Sequence, residues 1–322
     1  MRILPENMRA SISIAYLLAR AADSIADTAL VPPETRRSYL LTFISQLDSP
    51  HTAPTIQLEQ FKQNENPSEA MLLQQLPQVF SLYNDCAPND KLKIAKVVTT
   101  LIKGMLMDLD TFPSEQSRQI KALSTPEELD RYTYLVAGCV GEFWTDLCIT
   151  HDPACRHWKT DELYQLQKER GIRLGKALQL TNVLRDVAKD LQIGRCYLPE
   201  QQLKNLNLTP ETLLSNIKSD NTRPLLTHWL NQALEHFQSG IEYGLLLPRT
   251  AIRQRLAVFW PILIGLATLN KLIDNENWLI PDKPIKVSRS WVYRMILISL
   301  FACTSNKAMR HWFKKLQSSI HV

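Results

Sequence analysis

Glycine is scarce, 9 in 322 residues, against roughly 7% in an ordinary domain. A chain so poor in the residue that tight turns favour has few of them, and its long periodic runs argue for helices rather than sheet. The six cysteines, Cys86, Cys139, Cys148, Cys155, Cys196 and Cys303, form no Cys-x-x-Cys pair. In a chain of this length, free buried thiols in a reducing compartment fit better than a disulfide framework. There is no long Lys/Arg block, and a net charge of +5 with a pI near 8.8 is mild. It suits a polyanionic small substrate and gives no sign of a nucleic-acid partner. No Gly-x-Gly-x-x-Gly occurs, so no Rossmann unit is legible. Polar and charged residues break up the start, which excludes a secretory signal within it. The most apolar run, residues 256–269, contains Pro261 and falls short of a bilayer span. These absences predict a cytoplasmic chain with at most peripheral membrane contact. No linker, repeat or low-complexity tract appears, and 45% hydrophobic content suffices for a sizeable core. A single domain over residues 1–322 is therefore expected. Nothing in the sequence sets the oligomeric state.

What is present centres on residues 179–199, QLTNVLRDVAKDLQIGRCYLP. Asn182, Asp186 and Asp190 recur every four residues, so in a helix they stand on one face, with Gln179 one turn earlier and Arg185 beside Asp186. Leu178, Leu180, Val183, Leu184, Val187 and Leu191 make much of the remaining surface apolar. A carboxylate pair on such a helix is costly unless compensated. Oxygen ligands favour a hard divalent cation such as Mg²⁺. A solvated acidic ladder fits the same spacing equally well.

A second stretch, residues 16–27, reads YLLARAADSIAD. Tyr16, Arg20, Asp23 and Asp27 share a helical face, and the rest is nearly all apolar. Two such faces, each with an arginine close by, point to walls of a cavity that handles cations and an anionic ligand. Phosphate or diphosphate bridged to carboxylates through Mg²⁺ fits that chemistry.

The segments DSIAD and NVLRDVAKD resemble the two Asp-rich motifs of the squalene and phytoene synthases. YTYLVAGCVG at residues 132–141 resembles the family's Y-x-Y-x-V-A-G-x-V-G segment, and GRCYLP at 194–199 resembles the usual sequel to the second motif. The resemblance covers nearly the whole chain in the expected order and is closest to squalene synthase. It implies an all-α, isoprenoid-synthase-type helical bundle around a central cavity. It also implies head-to-head condensation of two farnesyl diphosphates via presqualene diphosphate to squalene, with Mg²⁺-assisted ionisation and NADPH reduction. Phytoene or dehydrosqualene synthesis, from geranylgeranyl or farnesyl diphosphate, are the related alternatives. A catalytically silent prenyl-lipid-binding or assembly relative is the non-enzymatic one. A head-to-tail elongase fits less well, because neither motif begins with adjacent aspartates.

The resemblance assigns roles residue by residue. Asp23, Asp27, Asp186 and Asp190 hold metal, with Asn182 as a neutral oxygen ligand. Arg20 and Arg185 meet phosphate oxygens through their planar forks, and Tyr16 and Gln179 join them on the substrate side. Tyr132 is the candidate for proton removal near the cyclopropyl intermediate, and Tyr134, Val136 and Val140 line the substrate wall. Small residues at Ala137, Gly138, Gly141, Gly171 and Gly175 admit either a neighbouring helix or a ligand. Lys286 and Arg289, in a stretch similar to the squalene-synthase region ending in a basic cluster, are the candidates for NADPH phosphates. The family's Ser-rich segment ahead of the first Asp helix has no counterpart in the residues given, since the chain starts at MRILPENMR. Arg36 and Arg37 read as surface residues, and Asp108 and Asp110 either as acids near the cavity rim or as exposed acids at a helix end. Helices are expected over residues 5–30, 71–83, 91–109, 125–149, 161–191, 224–245, 248–272 and 288–318, with another ending near Leu47, a loop over 48–68, and mostly irregular chain over 192–224 apart from a short helix begun at Thr209.

Overall fold

The computed structural model describes residues 3–28, 30–49, 67–114, 117, 119–215, 220–280 and 285–320. Among these the fold is all-α, as expected, apart from one parallel pair of two-residue strands. The chain divides into two compact units, Glu6–Ser114 and Glu115–Val322, the second also taking in Arg2–Pro5.

The first unit holds α1 (Glu6–Asp27), α2 (Pro33–Asp48), α3 (Pro67–Gln74), α4 (Leu76–Asn84) and α5 (Pro88–Thr111). Helix α1 buries Met8, Ser11, Ala15, Leu18, Ala22 and Ile25 at three- and four-residue spacing, the stripe that packs a helix onto its neighbours. Its partners are α5, α2 and α4, and Ser11 Oγ donates to Asp90 Oδ2 at 2.8 Å. Pro33, Pro67 and Pro88 each open a helix, where a missing N–H costs nothing. The expected helix over 71–83 is two. It breaks at Gln75, where Pro77 enters the first turn of α4. The expected loop over 48–68 lies almost wholly outside the described residues.

Arg36 is a correction to the sequence reading. It is buried, and its Nη1 donates to the Ala26 carbonyl at 2.9 Å, closing the C-terminal end of α1 as basic groups do there. Arg37 is a surface residue as expected, and it pairs with Asp110.

The second unit is built on α8 (Asp161–Gln192), a 32-residue helix. Preceding it are α6 (Pro126–Thr133), a π-helical turn over Tyr134–Gly138, α7 (Cys139–His151) and a 3₁₀ stretch over Pro153–Lys159. The start of α6 is a capping box. Thr125 Oγ1 accepts from the Glu128 N–H at 3.4 Å, and Glu128 Oε2 accepts from the Ser124 N–H at 2.6 Å. Strand β1 (Lys121–Ala122) pairs with β2 (Arg195–Cys196), so the chain before α6 is fastened to the chain leaving α8. Gly194, at φ 83°, makes the left-handed exit from α8. Helices α9 (Glu200–Asn205) and α10 (Pro210–Ser215) follow; the sequence reading had only the second of them.

Helix α11 (Arg223–Leu246) packs most extensively on α8, and α12 (Ile252–Ile273) packs on both. Helix α12 extends the apolar run beyond what the sequence reading allowed. It has 22 residues with a mean hydropathy of 1.8 in its most apolar window, long and apolar enough to cross a membrane. In this fold 67% of that window is buried by the protein itself, which makes α12 a core helix with Pro261 inside it.

The expected final helix over 288–318 is also two, α13 (Arg289–Ala302) and α14 (Asn306–Ser318). Arg255 explains the break. It is fully buried, and it donates to the carbonyls of Leu247 and Cys303 at 2.5 Å and to Asn306 Oδ1 at 2.7 Å. One guanidinium thus satisfies chain ends of α11 and α13, where the helix dipole is negative. Ser305 Oγ then caps α14. Arg255→Met should lower the stability of this unit by about 3 kcal/mol, because buried carbonyls lose a charged donor. A denaturant midpoint unchanged from wild type would refute this role.

Candidate active site

Helix α1 carries the first acidic face. Arg20 Nη1 donates to Asp23 Oδ2 at 2.5 Å and Arg20 Nη2 to Glu69 Oε1 at 2.6 Å. The guanidinium therefore bridges two carboxylates, of which Glu69, from α3, was not in the sequence-derived set. Tyr16 and Asp27 on the same face are exposed. The opposite face packs into the unit, as the periodicity requires. Burial and the neighbouring charge of Asp27 push the Asp23 carboxyl up to about 6, against the opposing pull of Arg20.

Helix α8 carries the second. Arg185 Nε donates to Asp186 Oδ1 at 3.0 Å, and Arg185 Nη2 completes a fork on Oδ2. The hydrogen bond raises the arginine's pKa still further. Asn182 Nδ2 lies 3.5 Å from Gln179 Oε1. Asp186, Asn182, Gln179 and Asp190 are all half-buried. The two motifs therefore repeat one device, a half-buried carboxylate held by an arginine on its own helix. Such an arginine can exchange its carboxylate for a phosphate oxygen.

An apolar cavity of about 270 Å³ opens beside the second face, within the second unit. Val136, Val140 and Trp144 form one wall, Gly171, Leu174, Gly175 and Leu178 of α8 another, and Ala257, Val258 and Pro261 of α12 a third. Residues 171, 175, 178, 182, 186 and 190 are spaced four, three, four, four and four, so one face of α8 runs from the cavity into the acidic ladder. From Gly175 to Asp186 the helix rises about 16 Å at 1.5 Å per residue. A long apolar group and an anionic head have adjoining places on this face.

The small residues serve both readings left open by the sequence. A Cβ on Gly141 would strike the Gly171 carbonyl, and one on Gly175 the Ala137 carbonyl. Close backbone contact between α8 and the π-turn–α7 segment thus requires them, and the same residues edge the cavity.

Val136 and Val140 line the apolar cavity. Tyr134 does not join them. Its hydroxyl donates to Glu142 Oε2 at 2.9 Å, and Lys168 Nζ binds Glu142 Oε1 at 2.7 Å. Burial and the bond to Glu142 push the Tyr134 hydroxyl to about 12. Tyr132 is buried and stacks on Tyr197, centroids 4.6 Å apart and planes 26° apart. YTYLVAGCVG and GRCYLP thereby meet through one ring pair. Tyr197, Trp144, Glu142 and Glu69 went unread as single residues. Only Tyr197 carried a signal, lying inside a segment already singled out. Lys286 and Arg289 are exposed and do not line the cavity.

Among the described residues no three His, Cys, Asp or Glu side chains converge to hold a metal alone. Each motif supplies two carboxylates, which fits a hard cation that completes its shell with phosphate oxygens and water, the usual mode of Mg²⁺.

Comparison with known proteins identifies the family. The family model described as squalene/phytoene synthase matches residues 1–291. A bifunctional lycopene cyclase/phytoene synthase of Colletotrichum graminicola is 30% identical over 73% of this chain and 37% of its own length. The 15-cis-phytoene synthase of Synechocystis sp. is 33% identical over 54% of this chain and 47% of its own. This chain thus spans less than half the length of either. A squalene synthase of Eremothecium gossypii is 23% identical over 100% of this chain and 68% of its own length. In fold, a solved complex of TcSQS with the ligand E5700 matches with a TM-score of 0.76 at 20% identity, covering 99% of this chain and 85% of that one. With the family model matched over most of its length and the motifs in their order, the chain belongs to the squalene/phytoene synthase family.

Proposed function

We propose that this chain is a prenyltransferase that condenses two farnesyl diphosphates head to head, through presqualene diphosphate, to squalene. The observation that carries this reading is the single face of α8 on which an apolar cavity adjoins the Gln179–Asn182–Asp186–Asp190 ladder. A prenyl diphosphate has that same division into tail and head. Members of the family are prenyltransferases. The reading toward squalene rests on a squalene synthase that aligns over the full chain at 23% identity; phytoene synthase relatives align over 54–73% of it at 30–33%.

Asp23 and Asp27 in the first unit, and Asn182, Asp186 and Asp190 in the second, would each hold Mg²⁺. When bound, the ion supplies charge neutralisation to the diphosphate leaving group. Arg20 and Arg185, released from their carboxylates, grip the phosphate oxygens in planar forks. Val136, Val140, Leu174 and Leu178 exclude water from the allylic cation. The Tyr132 hydroxyl is the group proposed to take the proton from the carbocation while passing its own to the released diphosphate. NADPH reduction through Lys286 and Arg289 completes the reading.

The test is product analysis with farnesyl diphosphate and Mg²⁺, with and without NADPH. Squalene only when NADPH is present is the expected result. Dehydrosqualene or presqualene diphosphate despite NADPH would remove the reductive step. Phytoene from geranylgeranyl diphosphate alone would replace the substrate, and no turnover of either would favour a silent prenyl-lipid binder.

Two further outcomes are expected. Metal ligation needs Asp23 ionised, and burial beside the charge of Asp27 pushes its carboxyl up to about 6. As pH falls through that value the proton competes, so apparent Mg²⁺ affinity should drop about tenfold per pH unit below it. Mg²⁺ titrations between pH 5 and 8 that show a flat affinity would reject this role. Trp144 is the largest side chain of the cavity wall, and Trp144→Ala should shift the kcat/KM preference from farnesyl toward geranylgeranyl diphosphate by roughly 10- to 100-fold. An unchanged ratio would show that another wall sets chain length.

A further inference from the structure

Helix α13 is held by one narrow side. Met295 and Ser299 are buried, and Trp260 Nε1 of α12 donates to Ser299 Oγ at 2.7 Å. The outward side is apolar. Tyr293, Leu297 and Phe301, one turn apart, are 66%, 64% and 81% exposed, with Ile298 and Leu300 beside them at 48% and 43%. Scattered exposed apolar residues are ordinary, but a continuous helical face of them marks an interaction surface.

The charge around this face identifies its occupant. Residues 285–322 carry seven Lys and Arg and no Asp or Glu, and of these Arg310 is paired with Glu242 of α11. Lys286, Arg289 and Arg294, at the start of α13 and just before it, are exposed. A second copy of the same face would set basic residues against basic residues. An acidic and apolar surface satisfies both features, and an anionic bilayer interface is one.

We propose that α13 is an in-plane membrane-docking helix, its Tyr293–Leu297–Phe301 side entering the headgroup boundary of an anionic bilayer. With 14 residues it is about 21 Å long at 1.5 Å per residue, too short to span. Docking brings α12 within one helix layer of lipid, and Ala257, Val258 and Pro261 of α12 wall the apolar cavity. That gives a water-insoluble product a short way out. The binding claim stands without the proposed reaction, and its test reads no turnover.

The test is sedimentation of the full chain with sucrose-loaded vesicles, of phosphatidylcholine alone and of phosphatidylcholine with phosphatidylglycerol. Binding to the mixed vesicles, weak binding to the neutral ones, and loss of binding with added salt are expected. The double variant Leu297→Glu/Phe301→Glu should lower partitioning by at least about tenfold, and Arg294→Glu should lower it only on anionic vesicles. Both changes sit on exposed positions, so the circular dichroism melt should not move. Should the double variant fold poorly, Tyr293→Trp supplies a second readout, a new emission component that shifts to the blue and is quenched by brominated lipid. No binding to mixed vesicles, undiminished binding by the folded double variant, or no shift for Tyr293→Trp would each overturn the proposal. So would a lipid-free dimer in sedimentation velocity that Phe301→Glu dissociates, since the face would then belong to a second copy.

Discussion

Asp186→Ala is expected to lower kcat by about 10³-fold or more, a loss of about 4 kcal/mol in transition-state stabilisation, while leaving the fold intact. The carboxylate is half-buried at the edge of α8 rather than in its core. Among the described residues it accepts hydrogen bonds from Arg185, on the same helix. Under the proposed function, removing it takes away a metal ligand and at the same time frees that guanidinium. The two effects act on different kinetic constants. Loss of the ligand weakens stabilisation of the departing diphosphate, so kcat falls. An unclaimed Arg185 still binds the ground-state diphosphate, so KM should stay level or drop. Arg185→Gln should show the converse split, a raised KM with a smaller loss in kcat. Asp161→Ala, an exposed acid in the first turn of the same helix, is the control and should behave as wild type. Steady-state kinetics with farnesyl diphosphate decide the matter. An Asp186→Ala protein with wild-type kcat would remove the second acidic face from the chemistry.

Much of this site was legible in the sequence because the legible part is one-dimensional. Acids four apart on an apolar helix define a face whatever the helix packs against, so Asp23–Asp27 and Asn182–Asp186–Asp190 could be read directly. The capping box at Thr125 was equally local. What escaped the reading depends on distant residues. The junction between α13 and α14 follows from Arg255, about fifty positions earlier, collecting carbonyls from two helix ends. The commitment of Tyr134 to Glu142 required Lys168, and the bridge from Arg20 to Glu69 required the placing of α3. Arg36 looked like any surface arginine because nothing in ETRRSYL shows that one of its neighbouring cations would turn inward to the end of α1. The cavity belongs to the same class. Its walls come from three separate stretches of chain, and periodicity described each stretch without describing the space among them.

Gly141→Ala should destabilise the second unit by about 3 kcal/mol or more, although alanine is the better helix former by about 1 kcal/mol. The added Cβ would meet the carbonyl of Gly171, and neither helix can yield cheaply. Helix α8 is fixed on its other side by α11, and α7 continues from the π-helical turn packed on α8. Backbone against backbone has no rotamer to relieve it. Gly240→Ala is the informative contrast. There the Cβ would come within 2.9 Å of Leu174 Cδ1, the far end of a flexible side chain, and 3.3 Å of Leu174 Cβ, so turning Leu174 aside relieves the worse contact and the remaining one offsets the helix-propensity gain. The expected order in denaturant midpoint is therefore Gly240→Ala close to wild type and Gly141→Ala far below it. The same displacement would reach function. Pushing α7 from α8 moves Val140 and Trp144 relative to Leu174 and Leu178, the opposed walls of the apolar cavity. Residual Gly141→Ala enzyme held folded by low temperature should then lose discrimination between prenyl chain lengths. Equal midpoints for the two variants would mean that the interhelical contact has slack, and that the small residues serve the cavity rather than the packing.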